Sequence, residues 1–335
     1  MVIAAAGFGA NFTWDDHQKP AAGYTFTFQK ALHVLMANIP LRIAFSDRIL
    51  GLWKQGRNIR DASRDFKEYI DNLIQDRKQQ APEDRRADLL SNLIAAADLE
   101  NAEMEKNRSK YSFGDEELAG NVFIFLFAGH ETTSNTLAFA LARLAVHQDV
   151  QQKLYESLRE LVPEGERPTY ANIVRWSYGL AVIYETLRLY PPVPAYPKYA
   201  AEDMSFVTYS NDGKNTPITV VVPKDQHILI DIPGLHYNPR YWKDPEQFLP
   251  ERFMGEYNRD AFNPFASGPR ACMGRRFAEI EALTFLANLV LEYRFEGTPI
   301  DQRETVKERN ERLLRWKRGP VTIHPEKVPL TLTRR

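Results

Sequence analysis

The sequence predicts a mainly α-helical fold with a small β portion, and two features indicate it. Apolar residues recur at spacings of three and four through most of the first 190 residues, the period of amphipathic helices. Short runs that resemble strands, separated by glycine and proline, follow after residue 198. The chain has 335 residues, 44% of them hydrophobic, which is enough for one large domain or two ordinary ones.

Helices dominate the part of the chain before residue 115. The predicted segments are, in order, a loop over 11–24, two helical pieces on either side of Pro40 within 26–53, an amphipathic helix over 57–77, a charged break over 82–86, a short helix over 88–99 and a polar loop over 100–112. The helix over 57–77 has the clearest pattern, because its apolar residues return to one face.

A single long helix is predicted over 115–147, about 50 Å in length at 1.5 Å per residue. Asp115, Glu116 and Glu117 suit its positive N-terminal end. Its middle is apolar on every side, which is typical of a helix that runs through a core. The later segments are helices over 149–162 and 170–190, strands over 199–209, 216–222 and 227–231, an irregular proline-rich stretch over 233–270, a helix over 275–293 and a β-like tail.

Composition excludes several classes of function. The 43 Lys and Arg nearly balance the 44 Asp and Glu, and no basic stripe is present, so we expect no nucleic-acid partner. A single cysteine rules out an intrachain disulfide. The apolar segment 1–12 lacks a basic flank, and no apolar run reaches the 20 or so residues that span a bilayer. We therefore expect a soluble or at most peripheral chain.

Polar residues interrupt the long helix at AGHETTS, residues 128–134. His130 and Glu131 begin the zinc-protease pattern H-E-x-x-H, but Ser134 takes the place of the second histidine, so a zinc site is excluded. A carboxylate inside a core is costly unless it is paired or solvated. Two interpretations remain, a notch where a ligand approaches the helix and an internal polar network that serves structure.

The second unusual segment is FASGPRACMGRRFAEIEAL, residues 265–283. Gly268 and Gly274 flank Cys272, and a helix follows at once, so that its N-terminal amides favour a thiolate. A thiolate on a glycine-rich loop suits an axial ligand of haem iron. A nucleophilic cysteine is the competing functional interpretation, although no histidine nearby is evident as its base. The structural interpretation is that Cys272 is a buried, small apolar residue.

Two more motifs are less specific when taken alone. Glu185 and Arg188 lie three residues apart on one helical face, a common arrangement of solvent-exposed ion pairs. FLPERF, residues 248–253, indicates only a charged loop.

Taken together and in this order, the four motifs resemble the cytochrome P450 haem-thiolate monooxygenases of eukaryotic type. The resemblance is carried by Ala128-Gly129-x-Glu131-Thr132, Glu185-x-x-Arg188, Pro250-Glu251-Arg252-Phe253, Phe265-x-x-Gly268-x-Arg270-x-Cys272-x-Gly274 and the stretch HYNPRYWKDPEQF over 236–248. It implies the C-terminal two-thirds of the cytochrome P450 fold, with the long central helix and the Cys-ligand loop. We expect one domain over 1–335 that is truncated at its N-terminus.

The resemblance implies haem b, iron protoporphyrin IX, with the Cys272 thiolate as the metal ligand. The expected cofactor contacts are Phe265 beside the thiolate, Gly268 and Gly274 in the loop, Arg270 and Lys198 at the propionates, and Ala128 and Gly129, which leave room for dioxygen. Glu131 and Thr132 are the expected catalytic residues, which hold water and deliver protons. Glu185, Arg188 and Arg252 are expected to form a structural ion-pair triad.

The expected substrate is a hydrophobic small molecule, with contacts from Phe123, Phe127, Val193, Tyr196 and the stretch 319–322. The implied reaction inserts one oxygen atom of dioxygen, with electrons from an NADPH-dependent flavoprotein reductase. Members of this type sit on the endoplasmic reticulum membrane. The alternatives are a haem-thiolate isomerase, dehydratase or peroxygenase, and a non-catalytic remnant that binds haem weakly or not at all.

Overall fold

The computed structural model describes residues 2–9, 19–81, 84–106, 113–210 and 216–335. It is mainly helical with short two-stranded sheets, as predicted. The chain divides into two compact units, which are described separately. Unit 1 is Met1–Ser134 with Arg318–Val321, and unit 2 is Asn135–Lys317 with Thr322–Arg335. The expectation of a single domain stays a prediction.

Unit 1 is built from helices. They are α1 Val2–Phe8, α2 Phe28–Ala37, α3 Ile39–Ala44, α4 Asp47–Leu50, α5 Lys54–Gln79, α6 Leu89–Lys106 and the first part of α7 Asp115–Val146. Their apolar faces form one core, whose larger members are Phe8, Leu32, Phe66, Ile70, Ile74, Leu90, Ile94, Leu118, Val122 and Leu126. The predicted helix over 57–77 is confirmed as α5.

Two predictions in unit 1 are corrected. The two helical pieces predicted around Pro40 are present as α2 and α3, but they meet at Asn38, and Pro40 lies in the first turn of α3, where a missing N–H costs nothing. The segment 100–106 is helical rather than a loop, because its Leu, Glu, Ala and Met neighbours are good helix formers that extend α6 to Lys106. The side chain of Asn101 then bonds the backbone of Phe113 at both N (2.6 Å) and O (2.9 Å). The rest of that predicted loop, 107–112, and residues 11–18 and 82–83 lie outside the described residues.

Helix α7 confirms the predicted long helix to within one residue at its C-terminal end. Its first half is not buried on every side, however. Leu118, Val122 and Leu126 form one buried face at intervals of four, whereas Ile124 is 48% exposed and Ala128 is exposed. The second half of α7, in unit 2, agrees better with the predicted burial on every side. Its buried residues include Phe139, Ala140, Ala142, Leu144 and Ala145.

Unit 2 continues with helices α8 Gln148–Arg159, α9 Tyr170–Arg175, α10 Ser177–Leu189, α11 Ile232–His236, α12 Arg275–Glu292 and α13 Val306–Leu313. The single helix predicted over 170–190 is two helices, because Trp176 leaves the helical conformation between them. The Trp176 ring occupies the space beside Gly179, where an added Cβ would lie only 2.4 Å from it. Almost all of α10 is buried, and it forms the centre of this unit.

The strands are short and lie in two-stranded sheets, and the pairs described below are antiparallel. They are β1 Ala195–Tyr199, β2 Met204–Tyr209, β3 Pro217–Val222, β4 His227–Asp231, β5 Tyr293–Gly297, β6 Trp316–Arg318, β7 Ile323–Pro325 and β8 Leu330–Arg334. β1 pairs with β4, β2 with β3, and β5 with β8. The strand predicted over 199–209 is therefore two strands in different sheets.

Helical segments also interrupt two stretches that were predicted without them. The irregular stretch 233–270 contains most of α11 and two 3-10 turns, Pro250–Phe253 and Arg259–Ala261. The β-like tail contains α13, whose N-terminus carries a capping box of Thr305 and Glu308. That T-x-x-E signal is visible in the sequence. Of the described helices, none combines the length and the apolar character needed to cross a membrane.

Candidate functional site

The loop before α12 presents Cys272 at the surface of unit 2. The Cys272 amide donates to the carbonyl of Phe265 at 2.8 Å, and Ala271 N donates to the carbonyl of Gly268 at 3.0 Å. Gly268 has φ of 82°, a left-handed conformation that glycine adopts without strain. These bonds close a tight loop with the thiol exposed at its end. The interpretation of Cys272 as a buried apolar residue is therefore wrong.

Glycines keep the surroundings of the thiol open. A Cβ added at Gly268 would meet no atom within 4 Å, and one added at Gly274 would lie 4.0 Å from the sulfur of Cys272. Gly274 also caps the N-terminus of α12, an 18-residue helix whose dipole favours a negative charge at this end. An exposed thiol between bare backbone segments suits a flat ligand that must come close to the loop.

Two cations accompany this loop. Lys198, on β1, donates from Nζ to the carbonyl of Ser267 at 3.3 Å. Arg270 lies in the loop itself and is exposed. Both can pair with carboxylates. One soft thiolate donor, two flanking cations and open backbone form a donor set that fits haem with its two propionates.

The structure also weighs against a nucleophilic cysteine. His236 is the histidine that precedes the loop most closely in sequence, and both of its ring nitrogens are committed. Nδ1 is 3.1 Å from the carbonyl of Arg188, and Nε2 accepts from the amide of Asn263 at 2.9 Å. Burial lowers the pKa of His236 to about 4. A neutral histidine held in this way serves structure rather than acting as a base for the thiol.

The structure brings the three predicted triad residues together inside unit 2. Arg188 Nε lies 2.7 Å from Glu185 Oε2, and Arg252 Nε lies 3.3 Å from Glu185 Oε1. The Arg188 and Glu185 side chains are fully buried. Arg188 also donates to the carbonyls of three residues from the segment before the loop, His236, Pro245 and Gln247. The Glu185–Arg188 pair is therefore not a solvent-exposed ion pair. It attaches the segment before the loop to α10.

In unit 1, the AGHETTS segment keeps helical geometry. The Thr132 hydroxyl donates to the carbonyl of Ala128 at 2.7 Å, a bond to the preceding turn. Glu131 is half-buried rather than fully buried. A Cβ on Gly129 would lie 3.3 Å from Ile3, so the missing side chain lets α1 pack on α7. Open surface was expected beside Ala128 and Gly129. It is found at Ala128, which is exposed.

His130 lies within this segment and has a different environment. Its Nδ1 atom is buried and has no hydrogen-bond partner among the described residues. Burial lowers the pKa of His130, so the ring is neutral at physiological pH. His130 thus belongs to the interior of unit 1 and not to a metal site, and no group of three or more metal-ligating side chains occurs in the described ranges.

The expected substrate contacts are divided between the two units. Phe123 and Phe127 lie in unit 1, where their rings stack with centroids 6.0 Å apart, and Phe66 packs edge-on against Phe123. Val193 and Tyr196 lie in unit 2, and the Tyr196 hydroxyl accepts from Asn263 Nδ2 at 2.9 Å. In the stretch 319–322, Thr322 is buried and accepts from Asn135 at 3.2 Å.

A cleft of about 580 Å³ in unit 2 does not coincide with these residues. It is lined by α8 and the segment before the loop, including His147, Lys153, Phe248 and Glu251. None of the expected substrate residues or loop residues lines it. Lys153 and Tyr178 both bond Glu251 there, so the cleft is a polar surface feature rather than the apolar site expected for the substrate.

Sequence reasoning missed His236 and Asn263 as parts of the frame around the loop. Asn263 donates both to His236 and to Tyr196, and it lies two residues before Phe265. The stretch HYNPRYWKDPEQF was noted only as a resemblance. His236, which begins this stretch, was the feature of the sequence that could have indicated the contact with Asn263.

The comparisons with known proteins agree with this geometry. The family model for cytochrome P450 matches residues 1–323. Cytochrome P450 monooxygenase 124 of Postia placenta is 39% identical over all of this chain and 64% of its own length. Cytochrome P450 monooxygenase prx9 of Penicillium rubens is 28% identical over all of this chain and 63% of its own length. The chain thus spans less than two thirds of these two curated relatives.

Solved structures show the same similarity. The crystal structure of the cytochrome P450DA heme domain superposes with a TM-score of 0.77 at 27% identity, over 99% of this chain and 65% of that one. A cytochrome P450 named CYP102L1 superposes with a TM-score of 0.77 at 24% identity, which supports the fold alone. With the cysteine loop, the buried ion pairs and a family match over nearly its full length, the chain belongs to the cytochrome P450 family.

Proposed function

We propose that this chain binds haem b through the Cys272 thiolate and acts as a monooxygenase on a hydrophobic small molecule. The observation that carries the proposal is the exposed thiol at the end of a closed, glycine-flanked loop. Bound haem supplies dioxygen activation, and electron donation from a thiolate ligand favours O–O cleavage. Lys198 and Arg270 would hold the propionates by charge-assisted hydrogen bonds.

Glu131 and Thr132 would move protons in this reaction. The Glu131 side chain is half-buried rather than enclosed, and a hydroxyl such as that of Thr132 can both donate and accept hydrogen bonds. A proton can therefore pass from water through the Thr132 Oγ1 atom, while Glu131 holds the water. The small, exposed side chain of Ala128 would leave space beside this relay, whereas the position beside Gly129 is taken by Ile3 of α1. One oxygen atom enters the substrate, the other leaves as water, and a flavoprotein reductase that uses NADPH provides the electrons.

The substrate would meet an apolar surface. Phe123 and Phe127 on α7, Val193 before β1 and Tyr196 within it offer aromatic and aliphatic groups rather than charges. Such a lining binds by excluding water and does not select a particular polar group. We propose that all of these residues belong to one functional domain over 1–335.

The test is the spectrum of the carbon monoxide complex. The chain is reconstituted with haem, reduced, and exposed to carbon monoxide, and we expect the red-shifted Soret band of a thiolate-ligated iron. Cys272→Ser should abolish this band. Met273→Ala, a change at the neighbouring 81% exposed side chain, should leave it intact.

Each contrary result has a distinct meaning. A chain that takes up no haem would favour the non-catalytic alternative. A red-shifted band that survives Cys272→Ser would show that another group ligates the iron. If haem is bound and a suitable substrate is turned over only with peroxide, the peroxygenase alternative would replace the monooxygenase.

A further inference from the structure

Three polar side chains meet beside the cysteine loop in unit 2. Tyr184 on α10 donates from its hydroxyl to Glu279 Oε1 at 2.6 Å, and Glu279 lies on α12. Arg275, in the first turn of α12, donates from Nε to the same carboxylate oxygen at 2.9 Å and from Nη2 to the Tyr184 hydroxyl at 2.8 Å. The three groups thus form a closed triangle of hydrogen bonds that joins the two helices. We call it the Tyr184 triangle.

The Tyr184 triangle touches the loop through Arg275. The Arg275 guanidinium carbon lies 5.2 Å from the centre of the Phe265 ring, a cation–π distance. Phe265 in turn supplies the carbonyl that accepts the Cys272 amide. Arg275 also follows Cys272 by only three residues, at the C-terminal end of the loop. Its side chain therefore links that end of the loop to Phe265 at the other end.

On its other side, the Tyr184 triangle is anchored in the core. Tyr184 is the neighbour of Glu185 and is 8% exposed, and Glu279 is 6% exposed. The Tyr184 ring packs edge-on against Phe253 at 5.6 Å and lies 5.1 Å from Phe262. Both phenylalanines belong to the segment that leads into the loop. The anchor is thus buried, whereas residues 267–273 of the loop are exposed.

The charges of the Tyr184 triangle are complementary at neutral pH. Burial and the hydrogen bond to Glu279 raise the pKa of Tyr184 to about 12, so its hydroxyl stays a donor. Burial alone would lower the pKa of Arg275, but the bonds to Glu279 and Tyr184 outweigh it and raise that pKa. The Arg275 side chain is 51% exposed, so its ion pair with Glu279 contributes little by charge alone. The main contribution of Arg275 is its planar guanidinium group, a fork of N–H donors that bonds Glu279 and Tyr184 at the same time.

We propose that the Tyr184 triangle is a positioning device that fixes the orientation of the Cys272 loop relative to α10. This role rests on the proposed function of Cys272 as the haem-iron ligand, because the orientation of the loop sets the direction in which the thiolate is presented. Arg275, Tyr184 and Glu279 are positioning residues that act through Phe265.

The first test needs no haem. Amide hydrogen exchange is measured by mass spectrometry in the full chain, with peptides that cover 265–274. Tyr184→Phe keeps the buried ring and removes the hydroxyl, and Arg275→Met removes the fork. Each should speed exchange in these peptides about fivefold, the factor for one net hydrogen bond. Arg275→Lys should fall between Arg275→Met and the parent chain, since an ammonium group is a single point donor without the fork.

Arg276→Gln is the matched control. It removes the same charge from the next residue, which is 58% exposed and approaches Glu279 only at 3.4 Å. We expect the parent exchange rate in this variant. Unchanged exchange in Tyr184→Phe, or equal acceleration in Arg276→Gln, would overturn the proposal. Acceleration spread over the peptides of α8 as well would also overturn it, because it would indicate general destabilisation.

The second test uses the haem-loaded chain. The red-shifted band of the carbon monoxide complex should be lost about fivefold faster in Tyr184→Phe and Arg275→Met than in the parent and in Arg276→Gln. Equal rates in all four proteins would overturn the proposal. If the parent chain has no band that depends on Cys272, the proposed function fails instead, and the exchange measurement alone decides whether the Tyr184 triangle holds the loop.

Discussion

At the scale of single residues, burial and hydrogen bonding separate side chains that the sequence presents as alike. Glu131 and Glu185 are both acidic residues in apolar helices, yet Glu185 is fully buried between two arginines whereas Glu131 is half-buried. The first holds two arginines together inside unit 2, as a structural ion pair does. The second is not enclosed in this way, which suits the proton relay proposed for it.

Thr132 should control the coupling of electron use to product formation. Thr132→Ala removes the hydroxyl through which a proton would pass, so product formed per NADPH consumed should fall about tenfold or more. The measurement is the ratio of product to NADPH oxidised once a substrate is found. Thr132→Ser keeps a hydroxyl and should retain most of the coupling. Equal coupling in the alanine variant and the parent would remove Thr132 from the proposed relay.

Arg188 should be among the residues whose loss destabilises the chain most. Arg188→Met leaves the buried Glu185 charge with one partner fewer and three carbonyls without a donor, so the free energy of unfolding should fall by about 3–5 kcal/mol. Urea unfolding followed by circular dichroism measures it. Lys307→Met is the control, because that lysine side chain is 86% exposed and should change the value little. The double variant Glu185→Leu with Arg188→Met should recover part of the loss.

At the scale of elements, the helices differ in what their glycines do. Gly179 in α10 lies against the Trp176 ring, which would be 2.4 Å from an added Cβ. Gly120 in α7 has no atom within 4 Å of the same position. The first glycine is required by the contact between a tryptophan and the next helix. The second only adds flexibility to a helix interior.

The same substitution should therefore have opposite effects in the two helices. Gly179→Ala should lower the free energy of unfolding by about 1–3 kcal/mol through overpacking. Gly120→Ala should raise it by about 0.5–1 kcal/mol, because alanine loses less conformational entropy in a helix. Thermal and urea unfolding of the two variants side by side provide the measurement. Stabilisation by both changes would mean that Trp176 can move away from α10.

At the scale of the whole molecule, long-range contacts bring distant segments of unit 2 to α10. Residues 236–249 reach it through Arg188, Glu185 and His236, and α12 reaches it through Tyr184. The loop that carries Cys272 lies between these two attachments along the chain. Its geometry therefore depends on the stability of the folded unit as a whole, which in turn depends on pH.

His236 should make that stability sensitive to acid. Burial lowers its pKa from 6.5 to about 4, and the charge of Arg188 acts in the same direction. Below pH 6.5 the unfolded chain binds a proton that the folded chain refuses, so stability falls as the pH drops from 6.5 to 4. The loss should total about 3 kcal/mol. In His236→Gln this part of the pH dependence should disappear, as measured by urea unfolding between pH 7.5 and 4. An unchanged slope would assign the acid sensitivity to other groups.

Much of the helical framework and the main motifs could be predicted because their signals are local. Helix α7 and the cysteine loop were recognised from spacing, glycine placement and residue type within a few turns of chain. Some boundaries failed although the signal was local, as for α13 and the end of α6, and others failed where another side chain or a distant strand intervened. Trp176 splits one predicted helix by packing on Gly179, and the strand predicted over 199–209 divides between two partners.

The sequence by itself determined the family, the order of the motifs and the identity of the candidate iron ligand, because these depend on residue types at short spacings. Only the tertiary structure decided that the Cys272 thiol is exposed and that Tyr184 and Arg275 meet beside the loop. It also joins Glu185 to Arg252, as the family resemblance implied. These contacts join residues that are 67 and 91 positions apart, a separation that no local periodicity can report. They depend on how the chain returns to α10, and they hold the loop in place.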